Sequence, residues 1–195
     1  MIHAKYHIET PSVGAILREE KMAGTKLGLD AAKFTDEGRL VPNEMIIEVV
    51  RHWLEKHDGD FVFDGFPRTT AQAEALEDLL NERGTPLEVA LSLDVDLATI
   101  QDRVSRRMVC SKCGNIVSIG LHVESALSGC SKCGGKLSRR SDDTAEALKQ
   151  RMAEYHEKSE PLISFYTDRG LLKHIDAART PHEVFADISA VLENV

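Results

Sequence analysis

Two C-x-x-C pairs constrain this chain more than any other feature. They are separated by sixteen residues and contain every cysteine of the sequence: Cys110, Cys113, Cys130 and Cys133. Each pair belongs to a segment that ends in S-K-C-G, and the glycine permits the tight turn of a zinc knuckle, in which backbone N–H groups point at sulfur. Four thiolates fill the tetrahedral shell of zinc and leave no position for water or substrate. The spacing therefore predicts a structural zinc.

Other interpretations of the cysteines remain open at this stage: two disulfides, four unliganded thiols, or iron in place of zinc. A chain without a secretion signal favours metal over disulfides. A standalone zinc ribbon that binds nucleic acid is a further alternative. However, 24 basic residues against 32 acidic ones give a net charge of −8. This charge argues against nucleic acid or an anionic membrane surface as a partner of the whole protein.

Outside the cysteine lobe, the hydrophobic pattern alternates between strands and helices. It predicts helices at 13–21, 29–36, 43–56, 70–83, 97–107, 144–168 (bent at Pro161) and 181–192. It predicts strands at 61–64, 87–95 and 171–175. Strands that alternate with helices indicate an α/β fold, a three-layer parallel sheet with helices on both faces.

The length and composition limit the architecture and the location. With 195 residues, one α/β domain and a small insertion fit, but a second full-sized domain does not. Apolar residues make up 42% of the chain, which is typical of a globular protein. No apolar run approaches the roughly 20 residues that span a bilayer, and the first ten residues contain no apolar signal core. We therefore expect a cytoplasmic protein with no membrane partner.

The segment D-G-F-P-R-T, from Asp64 to Thr69, stands where a predicted strand ends and a helix begins. Ligands of open parallel sheets bind at the carboxyl ends of the strands. Gly65 permits close backbone approach, Pro67 fixes the turn, and Arg68 can hold a phosphate with two parallel hydrogen bonds. A Gly-Pro turn with a solvated arginine is the alternative explanation.

Followed by Gln72, this motif resembles the monophosphate-side signature of adenylate kinases. The cysteine lobe lies between the motif and the R-S-D-D stretch at 140–143, where zinc-containing bacterial members of that family have their lid. The resemblance covers nearly the whole chain and implies a P-loop kinase fold that lacks the first strand. It also implies a core at 1–10, 42–107 and 141–195, monophosphate-binding helices at 11–41, and a zinc-ribbon lid at 108–140.

The same resemblance implies a monomeric nucleoside monophosphate kinase. Such an enzyme transfers the γ-phosphoryl group of ATP, bound with magnesium, to AMP and yields two ADP. The implied AMP contacts are Arg18, Arg39, Val41, Gly65, Arg68, Gln72, Arg140 and Arg151. The implied ATP contacts are Arg103, Arg107 and Arg179. Asp64 is implied to orient the water shell of magnesium, and the implied catalytic residues are Arg68, Arg107, Arg140 and Arg151.

The chemistry of phosphoryl transfer gives an independent reason for these arginines. The reaction needs two nucleotides held in line, water excluded, and cations around the equatorial oxygens. Six arginines could supply these cations in an otherwise acidic chain: Arg18, Arg68, Arg103, Arg107, Arg140 and Arg151. Taken singly, each is better explained as a solvated or ion-paired surface residue, but their joint match to one ordered pattern favours a role at phosphates.

The sequence departs from the family pattern in three places. The G-x-x-x-x-G-K loop, whose N–H groups cradle phosphates, has no counterpart within residues 1–195. Residues 12–15 read S-V-G-A where the family has S-T-G-D, and Arg106 replaces a small residue. Two hypotheses explain the first departure. The recorded start is an internal methionine of a longer enzyme, or the chain is a degenerate paralogue that binds nucleotide without efficient transfer.

Overall fold

The computed structural model describes residues 1–36, 41–139 and 143–195, apart from the side chains of residues 35 and 36. Its helices are α1 (Ile2–Tyr6), α2 (Val13–Met22), α3 (Lys26–Asp36), α4 (Asn43–Glu55), α5 (Thr70–Glu82), α6 (Leu97–Arg106), α7 (Ala145–Glu154), α8 (Pro161–Asp168) and α9 (Pro181–Leu192). Its strands are β1 (Ala90–Asp94), β2 (Arg107–Cys110), β3 (Ile116–Ser118), β4 (Leu137–Ser138) and β5 (Leu172–Asp176). In the described ranges, no helix is both long and apolar enough to cross a membrane.

Capping side chains explain where most helices begin. An oxygen of the residue before the helix accepts the N–H three residues later at Ser12, Thr69, Asp96, Thr144 and Thr180. Each cap satisfies an N–H group that has no partner inside its helix. The predicted starts of these helices agree with the structure to within one residue. In contrast, α3 begins three residues before its predicted start at Leu29, because Thr25 accepts the N–H of Gly28 at 3.0 Å.

The parallel sheet consists of β1 and β5, with Ala90 opposite Leu172 and Asp94 opposite Asp176. Helices α5 and α8 pack on it through a cluster of buried side chains that includes Ala73, Phe165 and Tyr166. The α/β class with a parallel sheet is therefore confirmed. The carboxyl ends of both strands carry an aspartate, at the edge where open parallel sheets bind ligands.

The predicted strand at 61–64 is wrong as a regular strand. The segment forms isolated parallel bridges, Glu9 with Phe61 and Ser12 with Asp64. The N–H groups of Val62 and Asp64 donate to carbonyl oxygens in residues 9–11, at 2.8 and 2.9 Å. These bonds give the segment extended backbone beside residues 9–12, but they do not form the continuous ladder that defines a strand.

The largest hydrophobic cluster joins α2, α4 and α5. Its buried members are Ile16, Val49, Val50, Trp53, Leu54, Phe66, Leu76, Leu79 and Leu80. Apolar residues of α4 recur three and four positions apart, as at Ile46, Val50 and Trp53, and residues with this spacing lie on one side of a helix. Phe66 extends the cluster into the D-G-F-P-R-T loop, so the loop is attached to the core by an aromatic side chain.

The single helix predicted at 144–168 is instead α7, a π turn at Tyr155–Ser159, and α8. The π turn contains a hydrogen bond from the Glu160 N–H to the Tyr155 carbonyl, at 2.9 Å. Pro161 begins α8 and has no N–H, so the carbonyl of Glu157 receives no regular α-helical bond from it. The irregularity therefore lies before the proline rather than as a bend at it.

Glu20 is a buried carboxylate that joins three helices; 7% of its side chain is exposed. It accepts hydrogen bonds from the Thr25 hydroxyl at 2.6 Å and the Lys56 ammonium at 3.1 Å, and His52 lies at 3.7 Å. The Thr25 bond is the main cause that lowers the pKa of Glu20. Lys56 and His52 lower this pKa further, against the opposing effect of burial. Glu20 thus stabilises the packing of α2 on α3 and α4.

We expect E20Q to lower the free energy of unfolding by about 1.5–3 kcal/mol near neutral pH, the usual contribution of a hydrogen bond to a charged group. A carboxyl pKa below its ordinary value of 4.5 stabilises the fold above pH 4.5, and this stability is lost as the pH falls through the folded-state pKa. The difference between wild type and E20Q should therefore shrink in acid. Urea unfolding followed by Trp53 fluorescence measures it, with exposed Glu19 mutated to Gln as control. A difference independent of pH would contradict this account of Glu20.

Candidate active site

Four thiol groups converge in the cysteine lobe. The sulfur atoms of Cys110, Cys113, Cys130 and Cys133 all lie within 4.8 Å of one another. The Cys113 and Cys133 sulfurs are 3.3 Å apart, and those of Cys113 and Cys130 are 3.8 Å apart. These distances exceed a disulfide bond of about 2.05 Å. Bonds of about 2.3 Å to a tetrahedral zinc place sulfurs about 3.8 Å apart. The four cysteines could therefore hold a metal such as zinc.

The two C-x-x-C turns have matching backbone geometry. The Gly114 N–H donates to the Cys110 carbonyl at 2.9 Å, and the Gly134 N–H donates to the Cys130 carbonyl at 2.8 Å. Both glycines have φ 68°, a conformation that other residues rarely adopt. In each turn the lysine N–H points at the first sulfur, 3.4 Å away. The repeated S-K-C-G segments therefore fold as a pair of knuckles around the thiols, as the sequence predicted.

Gly135 is required by the thiol cluster itself. A Cβ atom at this position would lie 2.8 Å from the Cys110 sulfur and 3.3 Å from the Cys133 sulfur. Any larger residue would displace at least one of these sulfurs. The absence of a side chain at Gly135 is therefore part of the geometry that lets four thiols approach one centre.

The pKa values of Cys130 and Cys133 are shifted in opposite directions. Burial acts to raise the pKa of Cys130, but backbone N–H groups and the neighbouring thiols outweigh it and lower this pKa to about 6. For Cys133, the N–H of Gly135 acts to lower the pKa, but Cys113 and Cys110 raise it to about 12. One negative sulfur thus opposes the ionisation of the next. A bound cation would remove this opposition.

The lobe joins the rest of the chain at a partly buried ion pair. Strand β2 begins at Arg107, directly after α6, and Arg107 Nε donates to Asp143 at 2.9 Å. A second bond links Arg107 Nη2 to the other Asp143 oxygen, and 2% of the Asp143 side chain is exposed. The segments that enter and leave the lobe are therefore held together. A nucleotide phosphate at Arg107 would share this guanidinium with Asp143.

Two further arginines implied on the ATP side meet in space. Arg103 Nη2 donates to the carbonyl oxygens of Ala178 and Arg179, at 3.0 and 3.2 Å. The Arg179 side chain pairs with Asp187 and lies 3.4 Å from Asp176. Helix α6 and the loop after β5 thus present two cationic side chains at the carboxyl edge of the sheet. The loop contacts Arg103 through its backbone, and Arg179 is held by aspartates.

On the implied AMP side, the loop that carries Arg68 is held by a buried glutamine. Gln72 is 7% exposed; its Oε1 accepts the Arg68 backbone N–H at 2.8 Å, and its Nε2 donates to Asn43 Oδ1 at 2.7 Å. Arg68 Nε donates to the Gly65 carbonyl at 2.8 Å. Gly65 has φ 67°, and a Cβ there would lie 3.1 Å from Arg68 Nη2. The loop therefore fixes Arg68 while its side chain stays exposed.

The bridge between Ser12 and Asp64 brings α2 beside this loop. Ser12 caps α2, and Arg18 lies in the second turn of that helix with its Nη1 close to Gly14. Both Arg18 and Asp64 are exposed. The segments that carry Arg18 and Arg68 therefore lie side by side where the bridge joins their backbones.

Four implied residues remain: Arg39, Val41, Arg140 and Arg151. Arg39 and Arg140 lie outside the described residues. Val41, half-buried, precedes α4, and Arg151 is exposed on α7. Their roles toward nucleotides stay predictions, as do those of the other implied contacts.

Two residues of this site were missed by sequence reasoning. Asn43 anchors Gln72, and the Ser159 hydroxyl donates to the Arg68 carbonyl at 3.0 Å. Asn43 stands 29 residues from Gln72, and Ser159 stands 91 residues from Arg68. Neither belongs to a local motif, and no periodic pattern in one segment indicates its partner in another. A single sequence therefore contains no signal for either contact.

The chain is similar in sequence to proteins named adenylate kinase. A sequence model of the family "Adenylate kinase" matches residues 1–171. A protein of Thermodesulfovibrio yellowstonii named adenylate kinase is 38% identical over 191 residues, 97% of this chain and 89% of the relative. Adenylate kinase of Methanosarcina barkeri is 40% identical over 190 residues, 96% and 88% of the two chains. That of Bacillus pumilus is 39% identical over 189 residues, 96% and 87%. These names give the degenerate-paralogue hypothesis no support.

Proposed function

The chain belongs to the adenylate kinase family of phosphotransferases, and from this premise we propose that it transfers the γ-phosphoryl group of ATP to AMP, giving two ADP. One observation carries the choice of acceptor site. The Ser12–Asp64 bridge brings the start of the helix that carries Arg18 beside the loop that carries Arg68, and both arginines are exposed. A dianionic phosphate is the ligand that two such groups bind best.

In this proposal the AMP phosphate lies between Arg18 and Arg68. Arg68 offers a planar fork whose backbone is already fixed by Gln72, so little conformational freedom is lost on binding. Gly65 lets the phosphate or ribose approach the backbone closely. Gln72, Val41 and Arg39 are proposed to contact the adenine of AMP. Arg140 and Arg151 are proposed to contact the transferring phosphoryl group.

The donor nucleotide lies at the carboxyl edge of the sheet, near Arg103, Arg107 and Arg179. These cations neutralise the charge of the ATP phosphates, which is the main requirement of phosphoryl transfer. The Arg107–Asp143 pair holds one guanidinium at the base of the lobe, in a fixed position. Magnesium, when bound with ATP, would neutralise charge at the phosphates. The exposed Asp64 carboxylate can accept hydrogen bonds from the waters around this ion.

The metal of the cysteine lobe is proposed to be zinc in a structural role. The sulfur spacing and the two knuckles fit a tetrahedral thiolate site, and four sulfurs leave no position for a substrate. The lobe's own buried cluster is small, and its members are Met108, Cys110, Val117, Cys130 and Leu137. Cores of this size commonly gain stability from a structural metal. We further propose that the enzyme acts as a cytoplasmic monomer without a nucleic-acid or membrane partner.

Formation of ADP from ATP and AMP tests the proposed reaction. The purified protein is incubated with both nucleotides and magnesium, and 31P NMR follows the products. We expect two ADP for each AMP consumed, no ADP when AMP is omitted, and slower reaction with CMP or UMP. Binding of AMP without formation of ADP would contradict the proposal. Preferred use of another monophosphate would keep the reaction class and change the acceptor.

A further inference from the structure

The π turn at Tyr155–Ser159 changes the direction in which Ser159 faces. A π turn holds one residue more than an α turn, so the residues that follow are rotated by about 100° relative to a regular helix. The Glu160 N–H reaches back to the Tyr155 carbonyl, and Pro161 begins α8. The backbone irregularity therefore sets the position of Ser159 between α7 and α8.

At this position Ser159 contacts the D-G-F-P-R-T loop. Its Oγ–H donates to the Arg68 carbonyl at 3.0 Å, while the Arg68 N–H is held by Gln72 at 2.8 Å. Two side chains from different elements thus fix the backbone of Arg68 on both sides. The Gln72 contact comes from α5, next to the loop in sequence. The Ser159 contact comes from a residue that follows the cysteine lobe in the sequence.

We infer that Ser159 is a positioning residue for Arg68, and that it couples the helical segment carrying Arg151 to the phosphate-binding loop. This inference rests on the proposed role of Arg68 toward the AMP phosphate. Arg151 lies on α7 and Ser159 ends the π turn that follows α7 directly, so the Ser159 bond fixes where this part of the chain meets the loop. Ser159 contacts no nucleotide itself; it holds the backbone from which the Arg68 side chain extends.

Binding of AMP and of adenosine tests this inference, because adenosine lacks the phosphate that Arg68 holds. We expect S159A to raise the Kd for AMP about three- to tenfold, the effect of one lost hydrogen bond, and to leave the Kd for adenosine within about twofold. S159T keeps the hydroxyl and should bind AMP like the wild type. S164A is the matched control, since Ser164 is an exposed serine on α8. Isothermal titration calorimetry measures all of these affinities.

Three results would overturn the inference: equal weakening of AMP and adenosine by S159A, an effect no larger than that of S164A, or wild-type affinity that is the same for AMP and adenosine. Alanine favours helices more than serine does, so S159A should fold, with a melting temperature close to that of the control. The measurement needs no turnover. Failure of the wild type to form ADP would therefore count against the proposed reaction, while the AMP-to-adenosine comparison still decides the role of Ser159.

Discussion

Replacing Arg68 by alanine should lower kcat/KM for AMP by about 100- to 1000-fold, with little change in the KM for ATP. This is the usual cost of removing one fixed donor from a charged transition state. Arg68 is such a fixed donor, because Gln72 and Ser159 hold the backbone from which its side chain extends. Steady-state kinetics with each nucleotide varied in turn measures the effect.

Two further variants show whether the guanidinium geometry or only the charge is needed. R68K keeps the charge but loses the planar fork, so its kcat/KM should lie between those of R68A and wild type. R51A is the control, because Arg51 is a residue of α4 whose side chain is 43% exposed and lies 3.5 Å from Glu48 and 3.8 Å from Glu82. Exposed pairs of this kind contribute little, so R51A should retain nearly full activity. An R68A protein that is correctly folded and keeps more than about a third of the wild-type kcat/KM would exclude Arg68 from the acceptor site.

Replacing Cys130 by serine should remove the metal and unfold the lobe. Cys130 is 4% exposed and contributes one of the four clustered sulfurs. Binding of zinc to structural sites is worth about 10–16 kcal/mol, far more than a small cluster of buried side chains supplies. We expect the zinc content to fall from about one ion per chain to nearly none, and the ADP-forming activity to fall about tenfold or more.

Mass spectrometry measures the zinc content. Hydrogen exchange of the β2 amides measures separately whether the lobe is folded. Lys132 stands in the same turn and is exposed, so K132S is a control that keeps all four thiols. A chelator strong enough to remove zinc should reproduce the exchange pattern of C130S in the wild-type protein. Full protection of β2 in the metal-free wild type would show that the metal does not stabilise the lobe.

Features that depend on neighbouring residues were predictable from the sequence. The knuckle turns follow from cysteine and glycine at fixed spacing. The start of α9 follows from the sequence T-P-H-E, in which Thr180 caps the helix and Glu183 caps it in return. The face of α4 that packs on the core follows from its apolar spacing. In these cases the interacting atoms lie within a few residues, so local sequence fixes the geometry.

Two predicted elements were wrong because their backbone groups form hydrogen bonds that the hydrophobic pattern does not indicate. The apolar run at 61–64 predicted a strand, but its partners in residues 9–12 form only isolated bridges. The long helix at 144–168 was predicted as one element, but a π turn divides it. In both cases composition indicated the region correctly, while hydrogen bonding to other backbone groups decided its conformation.

The sequence by itself determined which chemical groups this protein has and which stand next to each other: four thiols in two knuckles, an arginine after a Gly-Phe-Pro turn, and a set of basic side chains in an acidic chain. Only the tertiary structure decided which of these groups meet. It paired Arg107 with Asp143, placed Arg103 against the loop of Arg179, and set Ser159 on Arg68. The physical reason is that helical and strand periodicity fixes which face of an element is buried. The identity of the opposing element depends on packing across the whole chain.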